Sequence, residues 1–166
     1  MITLGIDPGT RVTGYGVVAN RDGAVSLVEC GVIRTAADNE LAYRLREIFE
    51  GITEVLERHA VSAVSVERVF HGKNAKTSLV LGHARGAVLL AATLRDVPVY
   101  EYTPAEIKMA IAGTGRATKE QMQYMVQRLL RLRTVPSPAD AADGVAAALC
   151  HCNSAALMKR LEKRLP

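Results

Sequence analysis

Four acidic side chains occupy positions from which they could share one metal site. Asp7 ends the apolar run that opens the chain, Glu67 ends a second apolar run, and Asp140 and Asp143 lie three residues apart in a later segment. Carboxylates at the ends of buried strands cost free energy unless a cation balances them. Mg²⁺ or Mn²⁺ is the usual partner of an all-oxygen site. The pattern therefore predicts a divalent metal centre.

Each acid also has an ordinary structural explanation. Asp140 could be the carboxylate of a capping box, and Asp143 could favour the first turn of a helix through the helix dipole. Asp7 could form a turn with the Pro-Gly that follows it. Glu67 could pair with the arginine directly after it or with Lys73. All four explanations would have to hold at once, and none explains why two strands end in the same way.

The elements that must position these acids follow from periodicity. Alternation of apolar and polar residues predicts five strands, over residues 2–7, 14–20, 24–34, 61–67 and 97–101. Helical spacing predicts helices over 39–59 and 74–94, after Pro104, from Thr118, and from Ser137-Pro138 as N-cap and N1. Thr118 and Gln121 match a capping box. The alternation of strands and helices indicates an α/β protein.

The geometry of two strands brings the acids together. If the strands ending in Asp7 and Glu67 pair in parallel, their ends lie about 4.8 Å apart. Ligands favour the carboxyl ends of strands in open α/β sheets. Asp140 and Asp143 share a helix face and could complete the site from above the sheet.

Bulk composition sets the frame. The chain has 166 residues, 49% hydrophobic content, a net charge of +4 and a pI near 9.1. These values predict one domain with a full core and weakly suggest a polyanionic partner. We expect a single domain over residues 1–153 and a basic C-terminal tail over 154–166. No segment has the length of a transmembrane helix, and with three cysteines this indicates a cytoplasmic protein.

Several longer motifs are together more specific than the acids alone. The chain closely resembles the RuvC family of Holliday-junction resolvases over nearly its whole length. The resemblance rests on residues 5–16 (GIDPGTRVTGYG), 66–70 (VERVF), 73–74 (KN), 82–86 (GHARG) and 140–143 (DAAD).

The resemblance implies an RNase H-like fold, with a five-stranded mixed sheet flanked by helices, and a homodimer. It implies paired, symmetric hydrolysis of phosphodiesters in four-way DNA junctions during recombination and repair, with two Mg²⁺ or Mn²⁺ ions per site. Work with the RuvA–RuvB branch-migration complex is also implied. Carried onto this sequence, the metal ligands are Asp7, Glu67, Asp140 and Asp143, and the junction-facing aromatic is Phe70. The basic residues near the scissile phosphate are Lys108 and Lys119.

Physical roles follow for these residues. Asp7 would bridge both ions, and Lys119 would neutralise charge on the transferring phosphate. We rank Lys119 above Lys108 because it opens a helix beside a Gly-rich turn that can approach a phosphate. Phe70 would stack on unpaired bases. Other cations would contact phosphates, namely Arg68, His71, Lys73, Lys76, Arg85 and Arg116. The alternatives are solvated surface charges and a core phenylalanine.

The segment 74–94 is apolar nearly all round, which predicts a helix covered on both sides. One face would pack on the sheet and the other on a second copy, or the helix would be fully buried in a monomer. Two residues depart from the commonest family pattern, Arg68 beside the catalytic Glu and Gly144 after the last Asp. We expect the arginine to add charge near the metals and the glycine to weaken the helix by about 1 kcal/mol.

Three other functions remain open from the sequence. A sugar-kinase or actin-like ATPase shares the opening strand, but needs a duplicated domain for which 166 residues leave no room. A related nuclease acting on RNA precursors would not need Phe70 or two-fold symmetry. A non-catalytic junction-binding protein would keep the basic residues but not four acids.

Overall fold

The computed structural model describes residues 1–68 and 75–162. The strands are β1 (Ile2–Asp7), β2 (Val12–Arg21), β3 (Ala24–Arg34), β4 (Ala63–Glu67) and β5 (Val99–Tyr102). The helices are α1 (Leu41–Arg58), α2 (Ala75–Thr93), α3 (Pro104–Ala112), α4 (Lys119–Leu129) and α5 (Ala139–Glu162). No helix within the described ranges is both long enough and apolar enough to cross a membrane.

The five strands form one mixed sheet in the order β3-β2-β1-β4-β5. The first three strands are an antiparallel meander, and β4 and β5 add in parallel. Thr3 pairs with Ala63 and Ile6 with Val66, so β1 and β4 end side by side. This confirms the predicted fold class and the parallel pairing of the strands that end in Asp7 and Glu67.

The sheet separates two hydrophobic cores. On one face, α1 and α2 bury Leu4, Ile6 and Val17 of the sheet. On the other face, α3, α4 and α5 pack over Val18. Strand alternation assigns successive side chains to opposite faces, so Asp7 and Glu67 both face the layer that contains α5.

Helix α5 lies unusually close to the sheet because glycines line the contact. A Cβ on Gly5 or Gly14 would collide with the α5 backbone, at Gly144 and Asp140 respectively. A Cβ on Gly144 would in turn lie 2.5 Å from the Cα of Tyr15. Close backbone approach is a common reason for glycine in an element interior. The glycine at 144 therefore permits the packing of α5, which helix propensity alone does not show.

A buried hydrogen bond also holds α5 to the centre of the sheet. The hydroxyl of Ser65 in β4 donates to the carbonyl of Ala147 at 2.7 Å. Buried polar groups are normally paired in this way. The bond joins the strand that ends in Glu67 to the helix that carries Asp140 and Asp143.

Two sequence predictions about helix ends have different outcomes. The capping box of Thr118 and Gln121 is confirmed, with reciprocal bonds of 3.2 and 2.9 Å. The predicted start of the last helix is one residue early. Helix α5 begins at Ala139, because the carbonyl of Pro138 already accepts from the Ala141 amide at 3.0 Å. Pro138 is therefore the residue before the helix rather than its first residue.

Among the residues that the structure describes, helix α2 is covered on one face only. Ala84, Val88 and Ala91 are buried, whereas Leu79 and Leu90 are 64% and 53% exposed. The alternative of a fully buried helix in a monomer is therefore wrong. At the C-terminal end, α5 continues to Glu162. The proposed division between residues 153 and 154 thus lies inside a helix, and the separate tail stays a prediction.

Candidate active site

Three of the four predicted acids converge at the carboxyl edge of the sheet. Asp7, Asp140 and Asp143 each offer a carboxylate oxygen, and these oxygens all lie within 4.8 Å of one another. Asp7 comes from the end of β1, and the other two come from the first turns of α5. The close approach of the α5 backbone to β1 and β2 brings the three aspartates together.

Glu67 lies in the same cavity but outside the converging group of three. The cavity has a volume of about 230 Å³ and combines acids, lysines and apolar side chains. Its lining residues are Asp7, Glu67, Pro104, Ile107, Lys108, Lys119, Met122, Asp143 and Ala146. All three elements that carry predicted metal ligands therefore border one opening.

Two carboxylates of the site, Asp7 and Glu67, hold their protons more tightly than ordinary acids. Burial raises the pKa of Asp7 to about 7, and the negative charges of Glu67, Asp143 and Asp140 add to the effect. Burial also raises the pKa of Glu67, followed by the charge of Asp143. A cation at this position would relieve both effects, since it compensates the buried charge.

Two lysines bring positive charge to the cavity. The ammonium of Lys119 lies 3.1 Å from Oδ2 of Asp143, and this contact raises the pKa of Lys119. Lys119 is the first residue of α4, placed there by its capping box. The pKa of Glu67 is raised by burial and by Asp143, and the charge of Lys108, on α3, opposes part of this rise. Both lysines thus interact electrostatically with predicted metal ligands, Lys119 with Asp143 and Lys108 with Glu67.

Other polar groups account for the turn after Asp7. The hydroxyl of Thr13 donates to the carbonyl of Gly9 at 2.7 Å and accepts from the Gly9 amide at 3.3 Å. This reciprocal pair closes the segment between β1 and β2. The Asp7 carboxylate lies close to the carboxylates of Asp140 and Asp143. A role as a turn former alone therefore does not explain Asp7.

The predicted phosphate contacts lie in different surroundings. Arg68 and Lys76 are exposed, at the end of β4 and in the first turn of α2, and Arg116 is exposed in the turn before α4. Arg85 is instead held by the carboxylate of Glu101. Phe70, His71 and Lys73 lie outside the described residues.

Sequence reasoning missed several residues that build this site. Gly5 and Gly14 lie in predicted strands and in the motif of residues 5–16, but nothing in that pattern indicates that they make room for α5. Thr103 and Glu106 form a second capping box, which starts the helix that bears Lys108. Its signal, Thr-Pro-Ala-Glu, is present in the sequence and matches the capping-box pattern. Glu101 had no local signal, because its partner lies sixteen residues away on another element.

The donor set fits a hard divalent cation. Three carboxylates converge, a fourth borders the same cavity, and none of the cavity's lining residues is a cysteine or histidine. All-oxygen donors of this kind suit Mg²⁺ or Mn²⁺ rather than softer metals. The chemistry that this arrangement supports is metal-assisted hydrolysis of a phosphate ester.

Comparison with known proteins agrees with this chemistry. The family model described as crossover junction endodeoxyribonuclease RuvC matches residues 3–151. The chain belongs to the RuvC family. RuvC of Roseiflexus sp. (strain RS-1) is 46% identical over 161 residues, which cover 97% of this chain and 96% of that protein. RuvC of Shewanella sp. (strain W3-18-1) is 49% identical over 150 residues, 90% of this chain and 86% of that protein.

A solved RuvC structure shares the fold as well. The structure of Thermus thermophilus RuvC in complex with Holliday junction substrate superposes with a TM-score of 0.89 at 38% sequence identity. The match covers 95% of this chain and 96% of that chain. The family predicted from the sequence motifs, its endonuclease class and its fold are thereby confirmed.

Proposed function

We propose that this RuvC-family protein resolves four-way DNA junctions by paired, symmetric, metal-dependent hydrolysis of phosphodiesters during recombination and repair. The observation that carries the proposal is the convergence of the Asp7, Asp140 and Asp143 carboxylates. Asp7 and Asp143 line a cavity together with Glu67 and Lys119. The complex of Thermus thermophilus RuvC with a Holliday junction supports the choice of DNA substrate.

The acids are proposed to hold two divalent ions, Mg²⁺ or Mn²⁺. Asp7, Glu67, Asp140 and Asp143 would hold them, since Asp7 is close to both α5 acids and lines the cavity together with Glu67. Bound metal of this kind lowers the pKa of an attacking water and stabilises the leaving oxygen. The protein's contribution is to fix four carboxylates on three elements that pack against one another.

Lys119 is proposed to act on the phosphate that is cut. Its ammonium already reaches into the acidic group, 3.1 Å from Asp143. Once cations balance the acids, the same ammonium is free to donate to a non-bridging phosphate oxygen and to oppose the charge that develops there. Lys108 would assist from the α3 side, where it borders the same cavity.

The remaining DNA contacts are proposals from the sequence pattern. Exposed cations beside the cavity would bind the junction's phosphates, and Phe70 would stack on bases at the crossover. Arg68 and Arg116 are exposed and suited to such contacts, since Arg68 directly follows β4 and Arg116 lies in the turn between α3 and α4.

The second copy is proposed to pack on the exposed face of α2. Leu79, Leu90 and Leu94 are each more than half exposed there, and an added Cβ at Gly82 or Gly86 would meet nothing within 4 Å. Exposed leucines beside small residues suit close helix packing between two copies. A two-fold dimer would present two sites to the two-fold symmetry of a junction.

Work with the RuvA–RuvB branch-migration complex is also proposed, and rests on family membership alone. We also propose a cytoplasmic location, since a protein that acts on junctions of chromosomal DNA would meet its substrate there.

The test is cleavage of a synthetic four-way junction beside linear duplex and single strands of the same sequence, with Mg²⁺, Mn²⁺ or EDTA. We expect paired symmetric cuts confined to the junction and dependent on metal. Asp7→Asn should abolish cutting while junction binding survives or tightens, because it removes one negative charge. Asp22→Asn, on an exposed turn, is the matched control and should cut normally.

Each other outcome has a clear meaning. Equal cutting of duplex or single strands would make the protein a general RNase H-like nuclease. Binding without cutting would make it an architectural junction protein. Undiminished cutting by Asp7→Asn would overturn the metal site itself.

A further inference from the structure

One ion pair outside the cavity joins α2 to the edge of the sheet. In it, Nε and an Nη of Arg85 donate to the two carboxylate oxygens of Glu101 at 2.5 and 2.8 Å. The two side chains are 32% and 23% exposed. A bidentate arginine–carboxylate pair is among the strongest and most directional polar contacts in proteins. Partial burial protects it from the screening that weakens surface pairs.

The position of Glu101 connects this pair to the catalytic edge. Glu101 pairs with Val66 in the register of β5 on β4, and the next residue along β4 is Glu67. The amide of Arg68 donates to the carbonyl of Tyr102 at 2.7 Å, which continues the pairing just beyond Glu67. Glu101 therefore lies beside the residues that set the position of Glu67, but on the opposite face of the sheet.

The position of Arg85 connects the pair to the start of the buried part of α2. Described residues of α2 before Ala84 are exposed or only partly buried, and Ala84 is the first that is fully buried. Arg85 follows directly. The ion pair thus lies next to the residue at which α2 first becomes fully buried.

Glu101 also faces a second cation. Hydrogen bonds from Arg85 lower the pKa of Glu101, and the charge of Arg68 adds a smaller effect in the same direction. Glu101 is thus hydrogen-bonded to Arg85, and its negative charge partly balances the positive charge of Arg68.

We propose that Glu101 and Arg85 are positioning residues that hold α2 against β5, and so fix the end of β4 that carries Glu67. Arg85 then serves the active site through Glu101 and does not contact DNA phosphate. The inference rests on the proposed junction cleavage and deepens it. It also replaces the expectation that Arg85 tracks the DNA backbone.

The test is a double-mutant cycle with Arg85→Gln, Glu101→Gln and the variant carrying both changes. Each is measured for junction cleavage at saturating DNA, for the Mg²⁺ concentration that gives half the maximal rate, and for junction binding in EDTA over a range of salt. Arg95→Gln is the matched control, because Arg95 pairs with Glu57 at 2.6 Å where α2 ends.

We expect each single variant to cut about tenfold more slowly, roughly 1.4 kcal/mol in the barrier, and to need more Mg²⁺, because Glu67 is less well held. Junction affinity should stay within about twofold, with an unchanged salt slope, since no phosphate contact is lost. The double variant should resemble the singles, because both changes break the same contact. Arg95→Gln should cut at the wild-type rate.

Three results would overturn the inference. Weaker binding with a shallower salt slope for Arg85→Gln alone would make Arg85 a phosphate contact. Wild-type cleavage and Mg²⁺ dependence for Glu101→Gln would show that the pair does not position the site. Additive losses would show that the two residues act separately. Failure of the wild-type protein to cut junctions would instead reject the proposed function, so the two failures are distinguishable.

Discussion

At the level of single residues, Asp7 links metal binding to pH. Its pKa is raised to about 7, chiefly by burial and then by the neighbouring acids. A divalent ion must therefore displace a proton from a large fraction of the molecules at neutral pH. We predict that Mg²⁺ affinity rises as pH increases towards about 7 and levels off above it. Calorimetric titrations in buffers of different ionisation enthalpy would count the protons released; equal affinity at about pH 5.5 and 8.5 would contradict the prediction.

The raised pKa of Asp7 also predicts how the stability of the metal-free protein depends on pH. The folded-state pKa lies above the ordinary value of 3.8, so Asp7 favours folding less and less as pH rises from about 4 to about 7. Asp7→Asn should therefore stabilise the metal-free protein at pH 8, by roughly 1–3 kcal/mol. Urea unfolding in EDTA measures this. Asp22→Asn is the control and should leave stability unchanged.

The change in stability expected for Gly144→Ala is opposite in sign to the change that helix propensity predicts. Alanine is the better helix former by about 1 kcal/mol, but a Cβ at 144 would lie 2.5 Å from the Cα of Tyr15. Because backbone cannot move aside cheaply, Gly144→Ala should destabilise the protein by roughly 1–3 kcal/mol and raise the Mg²⁺ requirement. Thermal unfolding and cleavage assays test both effects. Gly115→Ala is the control, since its nearest contact would be an ordinary 3.6 Å.

At the level of elements, one carboxylate ties the end of α1 to the sheet. Glu29 of β3 accepts from Tyr15 and Arg58 at 2.7 Å each and lies 2.6 Å from the His59 ring. Burial raises the pKa of Glu29, but these hydrogen bonds outweigh it and lower the pKa to about 2. The unfolded chain has an ordinary glutamate, with a pKa near 4.5.

This depressed pKa predicts the acid sensitivity of the fold. The contribution of Glu29 is fully present above about pH 4.5 and is lost as pH falls towards 2. Glu29→Gln should remove at most about 3 kcal/mol at neutral pH and flatten the loss of stability between those values. Unfolding by urea at a series of pH values provides the measurement. Glu50→Gln, in an exposed pair with Arg46, should change little.

The elements themselves could largely be predicted from the sequence, because their signals are local. The bounds of β3 and the capping box of α4 depend on neighbours within a few residues. The burial of α2 could not be predicted from composition, since its apolar residues do not say which face meets the sheet. The sequence also suggested the four acids, but not that three converge while Glu67 stands apart. That difference depends on how closely α5 packs, which Gly5, Gly14 and Gly144 decide from distant parts of the chain.

At the level of the whole molecule, the exposed face of α2 predicts self-association. Leu90 is 53% exposed on that face, in the last turn of α2. Leu90→Glu should place a charge inside the proposed interface and convert the protein to monomers. We expect sedimentation to show this, and junctions to receive single cuts in place of paired ones. Val28→Glu is the control, at a site 46% exposed on β3, and should leave the oligomeric state unchanged. A dimeric Leu90→Glu protein would place the interface elsewhere.

Two segments of the chain also differ in charge. Residues 21–60, which include β3 and α1, contain five basic and eight acidic side chains, whereas residues 104–138, which include α3 and α4, contain six basic and two acidic ones. Positive charge is thus concentrated in the segment that carries Lys108 and Lys119. We expect a polyanion approaching through solution to be attracted to this segment before any contact forms. Added salt should therefore slow the encounter with DNA.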